Sequence, residues 1–526
     1  MQNEERENTG MRLLKKGQKG IIHALFSRLG LFIILLLFQA LALFGVFRWF
    51  ENILPHILGG VVLYTVVMVL YLLNSRMDPT AKITWLMIVM ILPVFGAMLY
   101  WFTKSEIGHK AIKGRIEQIG EQTKDCILQN TEVLERLKQE NPGAASLARY
   151  LNRNDCHPVY DNTAVTYFPL GEDKWAEMLR QLEQAERFIF MEYFIVDEGL
   201  MWGKILDVLA RKVKEGVDVR VMYDGTCEFA LLPHNYPKKL KELGIRCKMF
   251  SPVSPFISTH YNYRDHRKIL VIDGHTAFTG GVNLADEYIN HVEKYGHWKD
   301  TAVMLKGEAA KSFTLMFLQM WSIDEKELEF DHFLSVPALP QKKTAGFVIP
   351  FGDCPLDDDK VGERVYMDIL NRAQEYVHIM SPYLILDGEM ETALKFAAER
   401  GVDVKLILPG IPDKSAPYAL AKTHYTSLLD SGVKIYEYTP GFVHAKVFVS
   451  DNREGVVGTI NLDYRSLYHH FECAAWLYGV PCITDMEADF QATLQKCRTV
   501  TYETVKAEKW TRKLMGRTLK VIAPLM

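Results

Sequence analysis

No Cys-x2-Cys pair occurs in this 526-residue chain, although eight cysteines are present, at positions 126, 156, 227, 247, 354, 473, 482 and 497. Neither a zinc cage of closely spaced thiolates nor a vicinal redox pair is encoded, so the thiols read as scattered and reduced. An excess of one charge is missing too: 61 Lys and Arg stand against 64 Asp and Glu, for a formal charge of −3. That excludes a protein held to nucleic acid by bulk positive charge, while leaving room for local patches. Nor is there a metal-ligand pattern. The acidic run Asp357-Asp358-Asp359 sits in a turn with no accompanying ligands and reads as a solvated loop. With 48% hydrophobic and 24% charged residues, the chain is neither a disordered tail nor a small stapled domain.

The hydrophobic residues are unevenly placed. Residues 29–47, 53–73 and 83–103 are three uncharged, apolar runs. At about 1.5 Å per helical residue each approaches the thickness of a bilayer core, about 30 Å, so residues 1–105 are expected to be a membrane region with three candidate spans. The first run is not a cleaved signal peptide, because its exit, Phe47-Arg48-Trp49-Phe50, lacks the small residues of a cleavage site. Basic residues precede the first run (Arg6, Arg12, Lys15, Lys16, Lys19, Arg28) and also follow the third (Lys104, Lys110, Lys113, Arg115). The positive-inside bias cannot be satisfied at both ends by three crossings, so one run is expected to be re-entrant or interfacial. Residues 106–155 are polar, with Ile107, Ile112, Ile116 and Ile119 at amphipathic helical spacing and a break at Asn141-Pro142-Gly143.

Beyond this linker the pattern is α/β, and it occurs twice, at 156–335 and at 345–526. In the first copy a helix around Trp175–Ala185 precedes the apolar run Phe188–Val196. A second helix to about Lys214 then leads into Glu-Gly-Val-Asp-Val-Arg-Val-Met-Tyr from 215. In the second copy a helix ending at Ala373 precedes Tyr376–Met380, and another leads into Arg-Gly-Val-Asp-Val-Lys-Leu-Ile-Leu from 400. Strand and helix alternate in both, and Gly216 and Gly401 mark equivalent points. The pattern predicts a gene duplication, with two domains of mixed sheet flanked by helices facing each other about a pseudo-twofold axis.

Chemistry-bearing residues fall at one place in each copy. His266, Lys268 and Asp273 spell His-x-Lys-x4-Asp, as do His444, Lys446 and Asp451, and each motif is followed by Gly-x-x-Asn, Gly280 to Asn283 and Gly458 to Asn461. These six motif residues form the candidate catalytic set. Strand periodicity puts His266 and Lys268 on one face and Asp273 on the other, and likewise in the second copy, so the two aspartates are read as structural members of the motif. Two imidazoles and two ammonium groups converging across the interface make a cationic pocket for a phosphate. Asn283, Asn461 and Thr459 are expected to add neutral donors to the substrate. A catalytic histidine needs its far nitrogen held, usually by a carboxylate. Asp300 and Glu472, lying 34 and 28 residues after the histidine of their own copy, are the expected orienting acids, with Glu287 and Glu293 as rivals in the first copy.

The doubled motif, with Gly-Gly-Val-Asn at 280 and Gly-Thr-Ile-Asn at 458, resembles the phospholipase D superfamily. Within it the chain is similar to the bacterial cardiolipin synthases. Supporting stretches are Pro93-Val-Phe-Gly96, Met191-Glu-Tyr-Phe-Ile195, Asn283-Leu-Ala-Asp-Glu-Tyr288, His297-Trp-Lys-Asp300, Phe442-Val-His-Ala-Lys446 and Asn461-Leu-Asp-Tyr-Arg-Ser466. The likeness runs from about residue 53 to the carboxyl end, and the extra apolar run at 29–47 departs from it. It implies two phospholipase D-like α/β domains behind a membrane anchor in the cell membrane. It also implies transfer of a phosphatidyl group between two phosphatidylglycerol molecules through a phosphohistidine, with His266 as nucleophile and His444 as acid and base. No cofactor or metal is expected, and the partners are phosphatidylglycerol and anionic membrane lipids, not nucleic acid. A phospholipase D hydrolase, a phosphatidylserine-type synthase, a nuclease and a non-enzymatic membrane scaffold are the other readings, the last leaving both motifs unexplained. The basic tail (Lys506, Lys509, Lys513, Arg517, Lys520, with Trp510 and Leu514) reads equally as a headgroup contact or a solvated face.

Overall fold

The computed structural model describes residues 36–42, 44–45, 54–75, 77–104, 107–251, 263–335, 344–357 and 359–525. The first α/β copy contributes β1 (Thr163–Phe168), β2 (Phe188–Tyr193), β3 (Asp218–Asp224), β4 (Arg246–Phe250), β5 (Arg264–Asp265), β6 (Lys268–Ile272), β7 (Thr276–Gly280), β8 (His297–Lys299) and β9 (Ala302–Gly307). The second contributes β10 (Phe347–Asp353), β11 (Tyr376–Met380), β12 (Asp403–Pro409), β13 (Lys434–Tyr438), β14 (Gly441–Val443), β15 (Val447–Ser450), β16 (Glu454–Gly458), β17 (His470–Tyr478) and β18 (Cys497–Thr499).

The duplication is visible in the strand order. One sheet runs β1-β9-β7-β6-β2-β3-β4 and the other β10-β17-β16-β15-β11-β12-β13-β18. Replacing each strand of the first by its counterpart gives the second, with β18 added at the edge. Both sheets are mixed. β2, β3 and β4 pair in parallel, as do β11, β12 and β13. The remaining rungs are antiparallel. Parallel strands require crossover connections, and helices supply them: Leu200–Lys214 between β2 and β3, Tyr236–Glu242 between β3 and β4, Gly388–Glu399 between β11 and β12, and Ser415–Asp430 between β12 and β13. Helices over both faces explain why β2 is apolar almost throughout and buried along its length. Phe188 and Phe190 pack against Phe333 and Phe317 with ring centroids 4.6–5.0 Å apart. Each such ring stabilises the core by roughly 1.5–3 kcal/mol through burial alone.

Two short ladders join the copies. β5 pairs in parallel with the start of β17, Arg264 opposite His470 and Asp265 opposite Phe471. β14 pairs in parallel with β8, Gly441 opposite His297, Phe442 opposite Trp298 and Val443 opposite Lys299. Each ladder ends one residue before a motif histidine.

The linker forms three helices, Ile107–Thr123, Thr131–Glu140 and Pro142–Asp155. Asn141 ends the second and caps the third: its N–H donates to the Leu137 carbonyl and its Oδ1 accepts from the Ala144 N–H at 3.0 Å. Pro142 occupies the first helical position, where its missing N–H costs nothing. Ile119 is buried in the core that holds Met316, Met320 and Trp321, and Ile112 and Ile116 pack against it.

The N-terminal unit corrects one expectation. Residues 29–47 lie largely outside the described residues, and residues 53–73 fall on the helix Leu54–Asn74. The third candidate span is not one helix but two, Pro79–Ile91 and Pro93–Lys104. Leu92 leaves the helical region at φ −128°, ψ 73°, in keeping with the exclusion of the α conformation before proline. The second helix folds back on the first, so that the rings of Trp85 and Tyr100 meet edge to face at 5.2 Å. In a continuous helix those residues would lie about 22 Å apart. Among the described residues no helix is long and apolar enough to cross a membrane. The unit buries Met68, Leu72, Trp85, Val89, Ala97 and Tyr100, while Leu63, Val67, Leu70, Met90, Ile91 and Trp101 are exposed.

Candidate active site

β6 begins with Lys268 and β15 directly after Lys446, and the ladders that precede them fix the histidines. The His266 N–H donates to the Phe471 carbonyl at 2.9 Å, and the His444 N–H to the Lys299 carbonyl at 2.7 Å. Phe471 and Lys299 each stand one residue before an acid. The acids therefore face the histidines crosswise: His266 Nδ1 lies 2.8 and 3.0 Å from the two oxygens of Glu472, and His444 Nδ1 lies 2.7 Å from Asp300 Oδ2. Asp300 and Glu472 occupy the orienting positions expected for them, but pairing within one copy is overturned. The reason is topological, since each histidine follows a strand that pairs with the other copy. The rival Glu287 instead pairs with Lys294.

The two aspartates of the motifs lie away from this chemistry. Asp273 accepts hydrogen bonds from the N–H groups of Glu186, Arg187 and Phe188, and Asp451 from those of Gln374, Glu375 and Tyr376. Each pins the entry of the strand beside its own hairpin, β2 or β11. Asp273 and Asp451 thus leave the catalytic set and belong to the frame, as strand parity had indicated.

Two of the expected substrate donors are also engaged within the protein. Thr459 donates to the Glu472 carboxylate and accepts from the Cys473 N–H at 3.0 Å, so its hydroxyl buttresses the orienting acid instead of facing a substrate. Asn283 Oδ1 accepts from the Ile195 N–H at 3.1 Å and its Nδ2 donates to the Tyr288 hydroxyl at 2.8 Å. Asn461 is buried, with an Oδ1 that has no hydrogen-bond partner.

His266, His444, Lys268, Lys446, Asp300 and Glu472 are all 0–7% exposed, which sets their protonation. Burial, helped by Lys268, pushes the His266 imidazole well below its ordinary value. Burial and then Lys446 bring His444 down to about 4. Burial raises the two carboxyls, but the facing imidazoles outweigh it and hold Glu472 and Asp300 below the usual range. The resting pairs are thus neutral imidazoles donating from Nδ1 to ionised carboxylates, which leaves Nε2 with its lone pair. Burial lowers Lys268 to about 8 and Lys446 to about 7. Lys268 also lowers both His444 and Lys446, so the charges of the two copies act on one another. Such crowding of cations awaits an anion.

Two further side chains belong to the site and were not anticipated. Lys174 is fully buried, donates to the Val282 carbonyl at 3.1 Å and is lowered by burial to about 7. Its sequence signal is a lysine on the face that carries Met178 and Gln181 inward. His470 stands beside His266, ring centroids 5.2 Å apart, with Nδ1 3.6 Å from Glu472. Its counterpart in the first copy is Trp298, 5.4 Å from His444. Placing Phe471-Glu472 over Lys299-Asp300 would have exposed that pair. Among the described residues His266, His470 and Glu472 are also grouped closely enough to hold a metal ion.

Two reactive imidazoles, each on a carboxylate from the other copy, can pass a phosphoryl centre from one oxygen to another. A family model described as cardiolipin synthase, PLD-like domain, matches residues 178–321 and 366–494. The chain belongs to the cardiolipin synthase family. A second model, phospholipase D-nuclease N-terminal, matches residues 61–104. Cardiolipin synthases of Halalkalibacterium halodurans and Alkalihalophilus pseudofirmus are each 32% identical, over 87% and 85% of this chain and 91% and 89% of theirs. An uncharacterized protein of Streptococcus mutans is 56% identical over 87% of this chain and 99% of its own length. The crystal structure of a phosphatidylserine synthase from Haemophilus influenzae is similar at a TM-score of 0.55, with 16% identity, covering 73% of this chain and 98% of that one. This last likeness is one of fold: a duplicated phospholipase D-like α/β architecture with mixed sheets.

Proposed function

We propose that the protein is a cardiolipin synthase that moves a phosphatidyl group from one phosphatidylglycerol to the terminal hydroxyl of another, releasing glycerol. The observation that carries this reading is the crosswise pair of buried His–carboxylate dyads beside Lys268 and Lys446, in a chain that shares its family over most of its length. Names of relatives supply the lipid, and the geometry supplies the chemistry.

In the first step Nε2 of neutral His266 attacks the phosphorus while its Nδ1–H stays on Glu472, which stabilises the positive charge that forms on the ring. The bond from phosphorus to the glycerol oxygen breaks, and that oxygen takes a proton from His444. The substrate anion itself prepares the acid, because a phosphodiester beside His444 offsets Lys446 and Lys268 and raises the imidazole from about 4. Lys268 and Lys446, recharged by the same anion, neutralise the oxygens as negative charge builds there. In the second step His444, now neutral, takes the proton of an incoming phosphatidylglycerol hydroxyl. That oxygen attacks the phosphohistidine and frees His266. One phosphodiester is consumed and one formed, so the reaction is near balance and reversible. Asp300 holds His444 in both roles.

The N-terminal unit is read as membrane-embedded, supported by its uncharged sequence and by large apolar side chains on its outer surface. Two helices of 13 and 12 residues, about 18–20 Å each and folded back at Leu92-Pro93, suit a re-entrant hairpin that enters and leaves by one face. That resolves the charge conflict between the two ends of the region.

The deciding experiment incubates the enzyme in detergent micelles with phosphatidylglycerol and a chelator and follows glycerol and lipids by mass spectrometry. One glycerol per cardiolipin is expected, with activity surviving chelation because lysines carry the neutralising charge. Phosphatidic acid as main product overturns the synthase reading in favour of a hydrolase, and abolition by the chelator overturns the role given to the lysines.

A further inference from the structure

The carboxyl-terminal helix Trp510–Ile522 has two faces, and both need a partner. The inner face is already matched. Gly516 lies so close to the helix Ser415–Asp430 that any Cβ there would overlap the Ala419 carbonyl. Leu519 packs with Leu420 and Ala523, and the Arg512 guanidinium bonds Glu508 at 2.6 Å and covers the Tyr418 ring. These residues, at 512, 516, 519 and 523, trace one helical stripe, so the helix is fixed on the body and its rotation is set.

The opposite stripe, at 510, 514, 517 and 521, is Trp510, Leu514, Arg517 and Val521. Water-facing positions of a surface helix are ordinarily polar. Here Trp510 is 73% exposed and Leu514 57%, with Val521 and its neighbour Ile522 exposed as well. From Lys509 to Ile522 there are five basic residues and no acidic one. Glu508, the nearest acid in sequence, is turned inward onto Lys422 and Arg512. An apolar ridge with a rim of one positive sign matches a surface that is negative outside and apolar within. A protein partner of mixed surface has no use for the bias.

We infer that this helix is an in-plane docking surface for an anionic lipid bilayer: Trp510, Leu514 and Val521 sink to the level of the acyl-chain boundary while Lys509, Lys513, Arg517 and Lys520 rest among phosphate headgroups. The N-terminal unit is not needed for this argument. The contact holds the α/β body at the surface where its acidic lipid substrate is concentrated, an advantage that rests on the proposed activity, whereas docking itself does not.

Two measurements on the full chain keep those apart. In the first, the enzyme is reconstituted in vesicles containing one-third phosphatidylglycerol, part of it brominated on the acyl chains, and the emission of Trp510→Phe is subtracted from that of the parent. The Trp510 share is expected to be quenched, and to escape quenching in pure phosphatidylcholine vesicles. An unquenched Trp510 in the acidic vesicles overturns docking, and equal quenching in both overturns the headgroup charge as its cause. In the second, Lys509→Glu/Lys513→Glu/Arg517→Glu is compared with the parent on vesicles and on short-chain phosphatidylglycerol below its micellar concentration. The vesicle rate is expected to fall about tenfold or more, while the monomer rate stays the same. An equal fall on both substrates overturns the surface role. Absence of turnover in the parent, with Trp510 quenched, refutes the activity and leaves the docking standing.

Discussion

The two halves of the site are built on one plan and finished differently. His266 rests on a glutamate that is buttressed by the Thr459 hydroxyl and flanked by His470. His444 rests on an aspartate whose other oxygen accepts from the Thr301 N–H, flanked by Trp298 and with Lys446 Nζ only 2.9 Å from its Nδ1. Thr459 corresponds to Gly281, and the pair shows how the choice is forced: a Cβ at Gly281 would occupy the place of Asp300 Oδ1. The shorter acid sits against the smaller residue and the longer acid against a hydroxyl. The lesson is that a doubled motif does not imply doubled roles. A ring wedged against an ammonium suits proton delivery, and a ring on a carboxylate buttressed by a hydroxyl suits nucleophilic attack, in line with the roles proposed for His444 and His266.

The sharpest way to break that comparison is to remove each ring in turn. His266→Ala and His444→Ala are each expected to lose about 10⁴-fold or more in turnover of phosphatidylglycerol. They diverge on a phosphatidyl nitrophenol, whose leaving group needs no acid. His444→Ala then accumulates a phosphatidyl adduct on His266, read as a mass increase of the intact protein, and His266→Ala forms none. An adduct on His444 reverses the assignment.

Next in size come the acids, whose crosswise pairing makes the outcome counter-intuitive. Glu472→Gln and Asp300→Asn are each expected to lose about 10²–10⁴-fold. With the nitrophenol substrate, release of the first equivalent of nitrophenol is expected to be restored in Asp300→Asn, in the same copy as His266, and not in Glu472→Gln. The opposite rescue pattern refutes the exchange of partners.

Lys446→Met tests the resting cost of the cations. Turnover is expected to fall about 10²–10³-fold, yet the substrate-free protein is expected to melt at a higher temperature, because a buried ammonium pushed down to about 7 opposes folding at neutral pH. A lower melting temperature contradicts that account.

The smallest effect is on acid stability. His444 falls from 6.5 to about 4 on folding, so the native state favours the neutral ring. Its contribution is complete above pH 6.5 and is lost as pH drops from there toward 4. His444→Gln is expected to flatten the unfolding free energy across that window in urea titrations, while a slope identical to the parent's excludes His444 as its source.

Much of this could be read from residue order. The repeat, the strand alternation and the facing of His and Lys follow from local periodicity, and so does the outward turn of Asp273 and Asp451. The pairing of acid with histidine does not, because it is decided by β5 on β17 and β14 on β8, contacts that span about 150–200 residues and leave no local trace. Pro93 was visible inside the third apolar run, but whether a proline kinks a helix or turns it back depends on what the far side packs against, here Trp85 on Tyr100. Thr459 misled for a related reason: a hydroxyl beside an active-site asparagine looks free until the glutamate that claims it is brought in from 13 residues away.

The exchange of carboxylates also bears on ancestry. A chain with a single copy would have owned a histidine and an acid that cannot serve each other, and only a second molecule, turned about a twofold axis, could have completed either dyad. With both copies in one chain, that encounter is intramolecular and permanent. Once joined, the copies no longer had to stay identical, and the glutamate, threonine and second histidine on one side are what that freedom left behind.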